Sequence, residues 1–357
     1  MKQKREIWID IAKGLGIIGV VLGHSGNEIA HHYLFWFHMP LFFILSGYTF
    51  KAFNEKKEFL PWFKKRAKQL LIPYISFAVI ITIVKFSVEA IQGKLSLITM
   101  IKDCLYIVYG GQLLTGYYGV FWFITCLFIT QVSFALIVIY FKNVKIQLAI
   151  IGVLYLLSHV DSQLLDTYNI PIPWNMDVAL LAITYYAIGF YVRRLSLSAR
   201  KQKTIVIIAL IISLSFIISD HFGLLVYELD LKKNIYNNLL LDLLIPLSLT
   251  VVICFIGYYI SRVPEAKILA TLGTLSLSIM YLHIPINAIG RYLTFDYGIF
   301  AFALIGITIP ILINIFFIDK FFITRFLFLG NTTKNKNFNR PLNKKAFLTS
   351  RVITLYK

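Results

Sequence analysis

Apolar segments of about the length of a membrane span recur along the whole chain, separated by short polar segments. A transmembrane helix needs about 20 consecutive, mostly apolar residues. The segments that approach this length are 7–27, 33–50, 70–90, 119–141, 146–160, 174–192, 204–220, 236–260, 268–285 and 297–318. We therefore predict an all-α, polytopic membrane helix bundle with about ten transmembrane helices.

The composition agrees with this pattern. Of 357 residues, 58% are hydrophobic and 15% are charged, and the mean hydropathy is +0.75. A soluble domain carries roughly 45–50% apolar and about 25% charged residues, so we exclude a soluble enzyme, a disordered chain and a secreted disulfide scaffold. The three cysteines show no metal-ligand spacing, and we predict neither a metal site nor a bound cofactor.

The basic residues lie in short clusters between apolar segments, not on one face as in a nucleic-acid-binding protein. We therefore expect no nucleic-acid partner, despite the net charge of +18. Only six of the 35 lysines and arginines fall in the predicted outer segments, and all but one of the others lie at the inner ends of spans. Cytoplasmic loops carry such an excess, which predicts that both termini are cytoplasmic. Residues 1–330 would form one membrane domain and 331–357 a Lys/Asn-rich cytoplasmic tail.

The predicted outer loops 91–118, 161–173, 221–235 and 286–296 contain several aromatic and acidic residues. Two interpretations stay open. The loops either fold back as a lid or substrate platform, or they supply an aromatic belt at the membrane surface.

The first predicted helix carries three ionisable residues, Asp10, Lys13 and His24. At 100° per residue they share one face, and His24 lies about 16 Å further along the helix than Lys13. Ionisable groups inside a membrane are costly and generally functional. The alternative is an Asp10–Lys13 ion pair with a separate histidine at the membrane surface.

The second predicted helix contains His38, at about the depth of His24 in the adjacent helix, and Pro40, which we expect to kink this helix or to start a new one. A single membrane histidine is most often structural, but two at matched depth favour a site. Gly14, Gly16 and Gly19 form a GxGxxG pattern, which lacks the preceding strand that dinucleotide binding requires. We expect these glycines to permit close helix contacts instead.

Four basic residues precede the third predicted span: Lys64, Lys65, Arg66 and Lys68. They either anchor the cytoplasmic side or bind the phosphates of an anionic cosubstrate.

Five motifs, in order, resemble the acyltransferase 3 family of integral membrane acyltransferases, which O-acetylate sugars and polysaccharides. They are the Lys13–His24 interval, 37–48 with His38 and Ser46, Arg66 followed by 71–74, 122–128 beginning at Trp122, and 281–285 with His283. The family usually has arginine where this chain has Lys13. In this respect the chain resembles the fucose 4-O-acetylase-like branch of the family, where lysine commonly replaces that arginine. The resemblance makes 1–330 a membrane acyltransferase domain.

The resemblance implies acetyl-CoA as cytoplasmic cosubstrate and a sugar or polysaccharide hydroxyl as acceptor at the outer side. With the Lys-, Ile- and Asn-rich composition, it also implies a multi-pass protein in the lipid bilayer of a bacterial plasma membrane. The alternative within the family is a polysaccharide exporter or flippase. A purely structural membrane protein fits poorly with three polar residues on one face of the first helix.

The resemblance also implies roles for individual residues. The catalytic residues would be His24, Lys13 and Asp10, and the binding residues Arg66, His38, Ser46, Trp122 and His283. His24 would act as general base or as covalent acyl carrier. Lys13 would stabilise charge on the thioester oxygen or a CoA group, and Arg66 would hold the CoA phosphates.

Overall fold

A computed structural model describes residues 6–53, 55–168, 170–236, 238–292 and 298–330, except the side chains of 165–168, 291 and 292. Within these ranges the secondary structure is helical, and the only β-type pairing is an isolated bridge between Asp230 and Ile235. The predicted all-α fold is confirmed. The predicted tail, 331–357, lies outside the described residues.

Most helices are joined by short connections, and the longest connections are 110–121 and 222–240. In chain order they are α1 Ile7–Gly23, α2 Glu28–Phe35, α3 His38–Thr49, α4 Phe59–Ile91, α5 Leu97–Tyr109, α6 Trp122–Tyr140, α7 Val144–Tyr168, α8 Val178–Val192, α9 Ala199–His221, α10 Leu241–Ile260, α11 Lys267–Thr274, α12 Ser276–Tyr292, α13 Ile299–Ile313 and α14 Phe322–Leu329. A π-helical segment, Asn314–Ile318, continues α13.

Seven helices in the described ranges are long and apolar enough to cross a membrane: α4, α6, α7, α8, α9, α10 and α13. The bent pair α11–α12 makes an eighth if it counts as one span. Helices α1 and α3, with 17 and 12 residues, are shorter than the about 20 residues that a span needs. The protein is thus a multi-pass membrane protein, while the count of about ten spans and the cytoplasmic termini stay predictions.

The second predicted span, 33–50, is not one helix. Helix α2 ends at Phe35, Phe37 has a non-helical backbone, and α3 begins at His38. Pro40 lies in the first turn of α3, where the backbone N–H groups have no partner within the helix. A proline is therefore tolerated there, and the chain bends before it.

The ninth predicted span, 268–285, is also broken, by a bend of 69° at Leu275. The bend lets α11 lie directly against α1. A Cβ atom on Gly273 would overlap the Asp10 carbonyl oxygen, and one on Gly14 would overlap that of Leu269. The glycines of α1 therefore permit close helix packing, as predicted.

Helix α1 lies near the centre of the bundle, packed against α3 and α10 to α13. Helices α6 and α8 are mostly buried, whereas α9 is exposed along nearly its whole length. Because an apolar helix exposed on all but one side suits lipid better than water, α9 marks the periphery of the bundle. The polar face of α1 therefore lies among neighbouring helices inside the bundle.

Candidate functional site

A cavity of about 400 Å³, which we call the narrow cavity, lies between α1, α3, α6, α12 and two loop segments, 116–120 and 230–233. Five of the eight predicted site residues line it: Lys13, His24, His38, Ser46 and Trp122. Most of the remaining wall is apolar. Helices α1 and α3 thus bring the two predicted polar motifs together.

A larger chamber, of about 830 Å³, adjoins this cavity, and we call it the outer chamber because the predicted orientation places it on the outer side. Four residues line both: His24, His31, Phe35 and Asp230. The chamber also exposes carboxylates and further histidines, namely Glu28, Glu228, His32 and His221. His24 therefore lies where the narrow cavity meets the outer chamber.

Hydrogen bonds indicate which ring nitrogen carries the proton in His24 and in His38. His24 Nδ1 lies 2.7 Å from the carbonyl oxygen of Val20, and His38 Nδ1 lies 2.6 Å from that of Leu34. A carbonyl only accepts, so each Nδ1 donates its proton. In the neutral rings, Nε2 is the atom that can act as base or nucleophile.

His283 packs against His24, with ring centroids 5.3 Å apart in an edge-to-face arrangement. Its Nδ1 lies 3.0 and 2.8 Å from the carbonyls of Ile279 and Met280, so it has the same tautomer. Its Nε2 is buried and has no hydrogen-bond partner in the described part of the chain. The structure thus places a third imidazole, with its Nε2 unprotonated, beside His24.

Phe35 contacts three histidines of the site, and one of them, His31, was not predicted. Its ring lies 4.7 Å from His38, 5.6 Å from His24 and 3.8 Å from His31. His31 lines both cavities. The i, i+4, i+7 spacing of His31, Phe35 and His38 is a one-face pattern that would have identified it.

The segment 230–233 folds back onto the site. The Asp230 carboxylate accepts hydrogen bonds from the backbone N–H groups of Lys232 and Lys233, at 3.0 and 3.3 Å. Lys232 lines the cavity, and its Nζ donates to the Leu114 carbonyl at 2.5 Å. Burial lowers the pKa of Lys232 to about 8. Segment 230–233 of the predicted loop 221–235 and Gly116 of the predicted loop 91–118 thus form part of the cavity wall, while the role of these loops as a lid or substrate platform stays a prediction.

Three predicted residues do not lie on the wall of either cavity, namely Asp10, Arg66 and His283, and His283 instead packs against His24. Asp10 lies where α1 crosses α11. Arg66 donates to the side-chain oxygen of Gln69 at 3.2 Å, one helical turn before Leu70, which lines the narrow cavity. The predicted roles of Asp10 and Arg66 stay predictions.

A family model described as "Acyltransferase domain" matches residues 6–319. The chain belongs to this acyltransferase family. The fold and the family together define a multi-pass membrane acyltransferase, and the predicted family is confirmed.

Two curated proteins, both called nodulation protein NolL, are similar over part of the chain. The Mesorhizobium japonicum protein is 31% identical over 140 residues, which are 36% of this chain and 35% of that protein. The Sinorhizobium fredii protein is 34% identical over 97 residues, which are 24% of this chain and 26% of that protein. The chain thus spans about a third or less of the length of these relatives. No solved structure matches.

Proposed function

We propose that this membrane acyltransferase moves an acetyl group from cytoplasmic acetyl-CoA to a hydroxyl of a cell-surface sugar or polysaccharide at a bacterial plasma membrane. The observation that carries the proposal is the position of His24, on the wall of both the narrow cavity and the outer chamber. A base at this junction can meet a donor from one side and an acceptor from the other.

The two cavities differ in the way that the two substrates differ. The narrow cavity has a mainly apolar wall with a few polar groups, among them Lys13 and Ser46, which suits the thin arm of acetyl-CoA. The outer chamber is wider and offers carboxylate and imidazole groups, which form hydrogen bonds with sugar hydroxyls. Both volumes lie within the range of about 300–1,000 Å³ common for small-molecule sites.

His24 supplies the chemistry in this proposal. Its Nε2 accepts the proton of the sugar hydroxyl while the oxygen attacks the thioester carbon. Alternatively, Nε2 takes the acetyl group first and then passes it on. Arg66, near the inner end of the cavity, would bind the CoA phosphates.

The test uses purified protein in lipid nanodiscs, radiolabelled acetyl-CoA, and surface polysaccharide from cells that lack the gene. We expect alkali-labile label in the polysaccharide. Because general acid–base help is worth about 10²–10⁴-fold in rate, His24→Ala should lower transfer by that factor while the elution profile stays unchanged. Transfer undiminished in His24→Ala would move the role of base to His38 or His283.

The same cells separate the enzyme from an exporter. Loss of an acetyltransferase leaves polysaccharide at the surface without its acetyl groups. Loss of an exporter reduces the polysaccharide at the surface, and the remainder keeps normal acetylation. The second result, with no transfer by the purified protein, would refute the proposed function.

A further inference from the structure

The proposed reaction needs a positive group near the carbonyl oxygen of the acyl group, and Lys13 is badly placed for this. Lys13 and His24 belong to one continuous helix and its C-cap. Eleven residues at 1.5 Å each separate their Cα atoms by about 16 Å along the axis. A lysine side chain, with its four-carbon stem, extends about 6 Å. The lysine side chain thus covers less than half of this separation, so a carbonyl held beside His24 is better placed for a donor at that end of the cavity than for Lys13.

Two further lysines line the cavity, Lys232 and Lys233; Lys232 is the more buried, whereas Lys233 is exposed and paired with Asp230. Lys232 is near enough to His24 to interact with it electrostatically, and both side chains line the narrow cavity. An ammonium group has three donors, and one N–H of Lys232 Nζ is used on the Leu114 carbonyl. Two donors are left for another acceptor.

The fold fixes the position of this lysine. The Asp230 carboxylate binds its backbone N–H at 3.0 Å, and Asn175 Nδ2 donates to its carbonyl oxygen at 3.4 Å. Its Nζ also lies close to Gly119, where a Cβ atom would be 3.9 Å away. Three separate parts of the chain therefore hold Lys232 against the cavity.

Burying an ammonium group costs free energy unless an opposite charge and hydrogen bonds compensate its charge. The charged and titratable groups that face Lys232 are Asp230 and Lys233 on its own segment, His24 of α1 and His31 of α2. Segment 111–120 contributes the Leu114 carbonyl. Asp230 also binds two backbone N–H groups and Lys233, so its charge is shared. Lys232 thus presents a partly uncompensated positive charge to the cavity.

We propose that Lys232 is a catalytic residue that stabilises the negative charge on the acyl carbonyl oxygen in the transition state. Lys13 then contacts the inner part of the donor. The inference rests on the proposed function, because it places the thioester beside His24.

In direct transfer, the sugar oxygen forms a bond to the thioester carbon and its proton passes to His24 Nε2. The carbonyl electron pair moves onto oxygen, next to Lys232 Nζ. When the carbonyl re-forms, the C–S bond breaks and the CoA sulfur takes the proton from His24. If His24 Nε2 attacks first, a C–N bond forms, the C–S bond breaks and CoA leaves as a thiolate. The sugar oxygen then attacks the acetyl carbon, the C–N bond breaks, and the hydroxyl proton passes to the CoA thiolate. The same carbonyl oxygen becomes negative in both half-reactions, so Lys232 serves either route.

Lys232→Met tests the proposal, with Lys94→Met in the exposed α4–α5 connection as matched control. Removal of one such donor costs about 10²–10³-fold in kcat. We expect this loss in Lys232→Met, with the KM for acetyl-CoA changed less than threefold, and normal kcat in Lys94→Met. A folded Lys232→Met with kcat within tenfold of the wild type would overturn the proposal.

Lys232→Arg gives an independent test that holds even if the methionine variant does not fold. The pKa of Lys232 is lowered to about 8, so its charge is present below this pH and lost above it. The wild-type kcat should fall as pH rises from 7 to 9. Arginine stays charged in this range, so Lys232→Arg should keep activity at pH 9. The same alkaline fall in the variant, or a folded but inactive variant, would contradict the proposal.

The outcomes also separate the two levels of inference. If the wild type transfers no label from acetyl-CoA, the proposed function fails. If the wild type transfers label and the Lys232 variants behave like the Lys94→Met control, only the role of Lys232 fails.

Discussion

Lys13 lies on the cavity wall, about 16 Å from His24 along the axis of α1, and its position gives a distinct expectation for its variants. Charge-assisted hydrogen bonds contribute about 1.5–3 kcal/mol, which corresponds to about 10–150-fold in Kd. We expect Lys13→Met to weaken binding of acetyl-CoA by such a factor, and Lys13→Arg to keep binding, because it keeps the charge. Equilibrium binding to the purified protein measures both.

Lys94→Met serves as the control for Lys13→Met and should bind acetyl-CoA like the wild type. The opposite pattern, unchanged binding by Lys13→Met with a large loss of kcat, would return Lys13 to the role of charge stabiliser at the thioester oxygen. The two lysines are thus distinguished by which kinetic quantity each one changes.

The site residues differ in whether nearby or distant parts of the sequence determine their place in the site. Lys13 and His24 were predicted to line one site because both belong to one helix, whose periodicity is local. Lys232 was not, because its place depends on the carbonyl of Leu114, which is 118 residues away in the chain. His31 falls between these cases: its spacing is local, but a helix break separates it from His38.

Close helix crossings carry the polar face of α1 into the bundle, and one glycine tests this at the level of the element. A Cβ atom on Gly273 would overlap the Asp10 backbone, so Gly273→Ala must push α11 away from α1. Overpacking costs typically about 1–3 kcal/mol, and sometimes more. We expect a clearly lower melting temperature in detergent, followed by tryptophan fluorescence.

Gly152→Ala is the matched control, since it changes a glycine of α7 with no atom within 4 Å of the added Cβ. Alanine is about 1 kcal/mol better than glycine in a helix interior, so this variant should be as stable as the wild type or slightly more. Equal melting temperatures for Gly273→Ala and the wild type would show that α1 and α11 are further apart than described.

Helix existence follows from hydropathy, whereas helix breaks do not. All ten predicted segments contain helix, because a run of apolar residues in a membrane must satisfy its backbone hydrogen bonds internally. Pro40 indicated a kink or a new helix in the second predicted span, and the observed break at Phe37 lies three residues before it, but the break at Leu275 was missed. Both let short helices cross α1 closely, and that advantage appears only when the neighbouring helices are present.

At the scale of the whole molecule, the distribution of charge predicts orientation, which the fold by itself does not give. With cytoplasmic termini, α4 ends outside and the following α5 lies on the outer side. Cys104 of α5 is exposed, whereas Cys126 is buried and Cys254 is only partly exposed. The chain therefore contains its own reporter of the outer face.

A membrane-impermeant maleimide added to intact cells should label the wild type, and Cys104→Ser should remove most of the label. In the Cys104→Ser background, Ser196→Cys places a thiol at an exposed position just before α9, in a segment with five basic residues in 193–203. Because such segments stay in the cytoplasm, this thiol should react only after the membrane is permeabilised. The opposite result is labelling of Ser196→Cys in intact cells, together with no labelling of Cys104 in the wild type until the membrane is permeabilised. It would invert the orientation and place the outer chamber on the cytoplasmic side.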